Sequence, residues 1–362
     1  MTKTAAAVAA ALALLVVNGC GARAYRAQAP AFAESSAVAA GRAFLGRYAT
    51  ADGRVQRIDQ GGDTVGESQA YGMLVAAGIG DEPRFATIWA WTQRHLQRPD
   101  GLLAFRWVDG RIVDPQAATD ADLDASRALL VAGCRFHRPD LRRQATGLGE
   151  AVLGHETTSD HGRLLLTAGP WATGDPVTLN PGYVAPATLE ALARASGDAR
   201  FDRVAAAGRT LVGGLSRPLP PDWASVSRAG SGVPQPSGPP HPGGGGPLFS
   251  FDAARTLVRF AEDPQPAGRQ VAAGAWRVFR GQAPDSLIVE HTLSGRPAGT
   301  THHPIVLVAA AGAATAAGSP HAAARLLDAA ADLDRRQPSY YGSAWVALGR
   351  LMLQTGSLDS CA

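Results

Sequence analysis

Three carboxylic acids sit in short motifs spread along a chain of 362 residues. Glu67 lies in TVGESQAYGM (64–73), Asp120 in ATDADLD (118–124) and Asp252 in SFDAAR (250–255). Two such groups in one cleft can hydrolyse a glycosidic bond: one acid protonates the leaving oxygen, and one carboxylate activates water or attacks the anomeric carbon. Each of the three sits at a loop-to-helix junction or just inside a helix start, where polar side chains can face the open end of a helical assembly.

The elements that must hold them are helical. Segments Ser36–Tyr48, Ser68–Gly80, Phe85–Gln97, Asp122–Phe136, Asp140–Leu153, Pro186–Ala195, Arg200–Leu215, Phe251–Ala261, Gln270–Arg280, Thr301–Ala317, Pro320–Ala331 and Tyr341–Gln354 all suit helices, and few stretches alternate with the period of a strand. Short connections pair them into antiparallel hairpins. The Ala-rich run Val306–Ala317 is too short and too broken by Gly to span a bilayer, so a buried helix is expected. Ser227–Pro247, dense in Pro and Gly, reads as a loop inside one domain that runs from residue 34 to residue 358.

Composition narrows the partners. With 46% hydrophobic residues the chain can build a large core, and a net charge of +3 with thinly spread arginines argues against nucleic acid. Lys3 followed by the apolar run Ala5–Val17 reads as an export signal in residues 1–19, with Cys20 placed for lipidation and a flexible tether over residues 20–33. Ordinary cleavage near Ala22 or Ala24 is the alternative. The expected location is therefore extracellular or anchored at the cell envelope, and the membrane is met only through that lipid. Cys134 reads as a small buried residue and Cys361 is next to the C-terminus; a bond between them is the less favoured reading. His155, His161, His302 and His303 have no zinc-site spacing, and Gly243–Gly246 lacks the Lys and Ser/Thr of a phosphate loop, so neither metal nor cofactor is expected.

Taken together, the motifs resemble family 8 of the glycoside hydrolases. Asp52-Gly53-Arg54-Val55 and then Val65 to Met73 are similar to the family's opening patterns, with the Ser and Gly that flank the family's Glu exchanged around Glu67. Trp89-Ala90-Trp91-Thr92 follows, then Ala118 to Asp122, Asn180-Pro181-Gly182-Tyr183, Leu219 to Trp223 and Phe251 to Arg255, in the family's order. The resemblance implies an (α/α)6 barrel, which agrees with the near-twelve helices. It implies inversion, with Glu67 as general acid, Asp252 as general base and Asp120 holding a distorted sugar. Phe251 stands where the family has Tyr, which removes a hydroxyl beside the base.

Family 8 further implies an endo-1,4-β-glucanase acting on cellulose or a related β-glucan, and a monomer is expected. Xylan, chitosan or mixed-linkage glucan would serve the same mechanism, and a non-catalytic glycan-binding barrel is the reading from another class. Pyranose rings stack on aromatic faces. Candidates are Tyr183, Trp107, Trp171, Tyr340 and Tyr341, with Trp89 and Trp91 assigned to the core. Arg255, one turn beyond Asp252, can steady that carboxylate or bind a sugar hydroxyl.

Overall fold

The computed structural model describes residues 31–228, 233–240 and 245–359, so the expected signal, Cys20 and most of the tether lie outside the described residues. Twelve helices occupy the described residues: α1 (Ala31–Tyr48), α2 (Gly66–Ile79), α3 (Glu82–His95), α4 (Thr119–Arg135), α5 (Pro139–His155), α6 (Pro186–Ser196), α7 (Arg200–Leu215), α8 (Phe251–Ala261), α9 (Pro266–Phe279), α10 (Pro304–Ala316), α11 (Pro320–Arg336) and α12 (Tyr340–Gln354). Proline opens α5, α6, α9, α10 and α11, where its fixed φ suits the first helical position and its missing N–H is no loss.

Even-numbered helices form the inner layer. α10 is buried without a break from Pro304 to Ala314, as a helix apolar on all sides must be. Outer helices bury one stripe, as α11 does through Ala323, Leu326, Leu327 and Ala330. The inner ring closes: α2 packs on α4, α4 on α6, α6 on α8, α8 on α10, α10 on α12, and α12 returns to α2. This is an (α/α)6 barrel.

Between α4 and α8 the interior holds charge rather than hydrocarbon. Arg255 meets Asp120, Arg259 binds Asp124 through two bonds of 2.8 and 2.7 Å, and Arg127 binds Glu262, so the three pairs step along the barrel about one helical turn apart.

Several sequence expectations need correction. α1 starts at Ala31, inside the stretch read as a tether. Among the described residues, eight short strands form three small antiparallel sheets: β1 (Thr64–Val65), β2 (Arg106–Val108) and β3 (Arg111–Asp114); β4 (Thr157–Asp160) and β5 (Arg163–Leu166); β6 (Val177–Leu179), β7 (Trp223–Val226) and β8 (Gln235–Ser237). β8 falls in the segment read as loop. It pairs Trp223 with Ser237 at the sheet edge, where Pro236 is tolerated, and a Gln-Pro-Ser run carries no alternation that could announce it. Cys134 is disulfide-bonded rather than a free buried thiol, and its partner lies outside the described residues.

Candidate active site

Glu67, Asp120 and Asp252 occupy equivalent places: each is the second residue of an inner helix, after the N-cap residues Val65, Ala118 and Ser250. The N-terminal end of a helix favours carboxylates. Parallel inner helices therefore present all three at one end of the barrel, around a cavity of about 220 Å³ lined also by Arg57, Phe105, Tyr183 and Arg255. A larger cavity of about 710 Å³ opens at the other end, but the glutamate in its wall, Glu262, is bound by Arg127.

Local sequence explains the first acid. Ser68 is the third residue of α2, and its hydroxyl accepts from the Val65 N–H at 3.1 Å, so the exchanged Gly-Glu-Ser order caps the helix from within. Gln69 fixes the preceding loop by accepting from Val55 N–H at 2.6 Å and donating to Thr92 Oγ1 at 2.8 Å. Gly53, at φ +96°, lies where a Cβ would come within 2.2 Å of the Thr87 carbonyl. The Asp-Gly-Arg-Val and Trp-x-Trp-Thr motifs are thus the brackets of α2.

Arg255 joins the three acids. Its Nη1 donates to Asp120 Oδ2 at 2.5 Å and to Glu67 Oε2 at 3.2 Å, and its Nη2 bonds Asp252 Oδ1. The Tyr183 ring lies over the guanidinium, 5.1 Å from its centroid. Arg255 is only 1% exposed, so its donors serve the carboxylates; those acids are 4%, 19% and 33% exposed for Asp120, Glu67 and Asp252. Burial pushes Glu67 up to about 7; Arg255 opposes this, and the charges of Asp120 and Asp252 add to it. Burial also raises Asp120, against the pull of Arg255.

The aromatic candidates separate. Tyr340 is buried and its hydroxyl donates to Glu67 Oε1 at 3.2 Å, while Tyr341 donates to the Phe251 carbonyl at 3.2 Å. The Phe251 ring packs edge-on against His303. Trp171 is 43% exposed, with its indole N–H on the Ala117 carbonyl at 3.2 Å. Trp107 has one face covered by Arg54, at 4.4 Å, and an edge on Trp91. Phe105, half-exposed in the cavity wall, was missed by sequence reasoning because no motif marks it. His303 caps α10 by accepting from Ile305 N–H, and burial drives it down to about 4. No group of three or more His, Cys, Asp or Glu side chains among the described residues could hold a metal ion.

The family model for glycosyl hydrolases family 8 matches residues 22–237, which takes in Glu67, Asp120 and Tyr183. The chain belongs to that family. Within family 8, a "Probable endoglucanase" from Novacetimonas hansenii is 36% identical over 228 residues, covering 60% of this chain and 64% of that protein. The chain thus spans a little under two thirds of that relative's length. Among solved structures, an endo-beta-1,4-glucanase, CMCax, from Acetobacter xylinum superposes with a TM-score of 0.74 at 28% identity, covering 88% of this chain and 98% of that one. A beta-1,3-1,4-glucanase from Paenibacillus sp. X4 gives a TM-score of 0.80 at 18% identity over 91% of this chain and 93% of its own, a likeness of fold.

Proposed function

We propose that the protein is an inverting, endo-acting β-glucanase that cuts 1,4-linkages in cellulose or a related β-glucan. The observation that carries this reading is the unequal environment of two carboxyls in one cleft: the half-buried Glu67 is pushed up to about 7 by desolvation, while Asp252 is the more exposed and is paired with Arg255. Glu67 donates to the glycosidic oxygen, and Asp252 takes a proton from water attacking the opposite face of the sugar. Asp120, fixed by Arg255, receives hydroxyls of the sugar between them. Tyr183 and Phe105 offer ring faces at the cavity, and exposed Trp171 offers another further out.

Names of the relatives support a β-glucan as substrate. Initial rates on carboxymethylcellulose, barley β-glucan, xylan and chitosan test it, with the anomer of the first-formed product read by proton NMR. Fastest cleavage of a 1,4-β-glucan with release of the α-anomer is expected; a β-anomer, or no hydrolysis of any substrate, would refute the reading.

The pH dependence has a definite sign. Glu67 works only while protonated, so kcat/KM should hold below its pKa and decline as pH rises through about 7. A profile on a soluble cello-oligosaccharide checks this, and a decline already complete near pH 5 would show that Glu67 is not the acid. Export belongs to the same proposal: the disulfide at Cys134 suits an oxidising compartment, and the run Ala5–Val17 ahead of Cys20 suits lipid anchoring.

A further inference from the structure

Asp222 belongs to the Leu219–Trp223 motif just ahead of β7 and is not one of the acids lining the cavity. Its carboxylate is nevertheless bound to the turn that carries Asp252. Ser250 stands at the N-cap of α8, yet its own side chain accepts nothing from the first turn of that helix. Asp222 does this from 28 residues away: Oδ1 accepts from Ser250 N–H at 2.9 Å and from Ala253 N–H at 2.7 Å, and Oδ2 accepts from Ser250 Oγ at 2.5 Å. The Ala253 amide is the one an N-cap side chain would ordinarily satisfy.

The borrowed cap is itself anchored. Asp222 N–H donates to the Leu248 carbonyl at 2.7 Å, and the next residue enters the β6–β7–β8 sheet. On its other side the same turn is pressed by Gly182, where a Cβ would come within 2.3 Å of the Asp252 carbonyl oxygen. Between these two contacts the backbone of residue 252 has little freedom. Burial and then the charge of Asp252 push Asp222 up to about 6, a sign of how near the two carboxyls are.

We propose that Asp222 is a positioning residue for Asp252: by capping α8 from the neighbouring sheet it fixes where that carboxylate stands against the attacking water. The inference rests on Asp252 being the general base. It is distinct from a general role in stability, because it predicts a defect on one side of the reaction only.

Two substrates separate the cases. Cellotetraose needs both acid and base, whereas β-cellobiosyl fluoride has a leaving group that needs no proton and so depends on the base alone. Asp222→Ala is expected to lower kcat per folded protein on the order of 10²-fold on both substrates alike, with KM little changed, since about 1 Å of misplacement has that effect. Asp222→Asn should recover most of the loss, because its amide oxygen can accept the same two N–H groups. Glu67→Gln, run beside them, should be far less impaired on the fluoride than on cellotetraose. Wild-type kcat in Asp222→Ala, or a loss relieved on the fluoride as for Glu67→Gln, would overturn the proposal. Should that variant not fold, Asp222→Ser, whose shorter side chain cannot span both amides, is read the same way. Asp252→Asn is the reference: if it stays active, the base assignment fails, whereas an inactive Asp252→Asn beside a fully active Asp222→Ala fails Asp222 alone.

Discussion

Glu67→Gln is expected to lower kcat on cello-oligosaccharides by about 10²–10⁴-fold, the range a positioned general acid contributes, with the folded state intact. The amide cannot donate the proton that must reach the glycosidic oxygen, yet it keeps the shape that meets Tyr340 and Arg255. The decline of kcat/KM through about pH 7 should vanish with it, because the group responsible has gone. Asp252→Asn should show a loss of similar size, since water is then left without a base. Thermal melting run beside the kinetics separates chemistry from unfolding. Wild-type activity in either variant would remove that residue from the mechanism.

The second large effect concerns stability. Asp124 and Arg259 are fully buried and joined by two bonds, one turn below the acids. Asp124→Ala leaves a buried guanidinium without its bonded carboxylate, which costs about 3–5 kcal/mol. For a chain of 362 residues this is expected to lower Tm by about 4–7 °C, because unfolding entropy grows by about 2.1 cal/mol/K per residue. Removing both partners, as in Asp124→Leu with Arg259→Met, should recover most of the loss, since the desolvated charge then disappears as well. Calorimetry on the single and double variants tests this; a single variant as stable as the parent would mean that the pair holds nothing together.

Much of this arrangement is legible in the sequence because it is local. Apolar periodicity marks the twelve helices, with α7 and α8 bounded as expected, and the acids fall at helix starts. What escapes is long-range. Asp222 sits 28 and 31 residues from the two amides it satisfies, and the three ion pairs between α4 and α8 each span 135 residues, so no local pattern announces them. Arg255 was expected either to steady Asp252 or to bind sugar; it contacts all three acids because α2 and α4 also deliver their second residues to the same end. Strands of two to four residues escape as well, since they are shorter than any alternation that could reveal them.

That three acids from residues 67, 120 and 252 converge on one guanidinium also bears on how the molecule becomes active during folding. Each hairpin can form from near neighbours in the chain, and Asp252 is only one turn from Arg255, but Arg255 reaches Glu67 and Asp120 across 188 and 135 residues. Contacts of such separation are won late, after loop closure has been overcome. The three acids are therefore brought onto one guanidinium only once α2, α4 and α8 have packed side by side, so activity is expected to return no earlier than helical signal when refolding is followed by both.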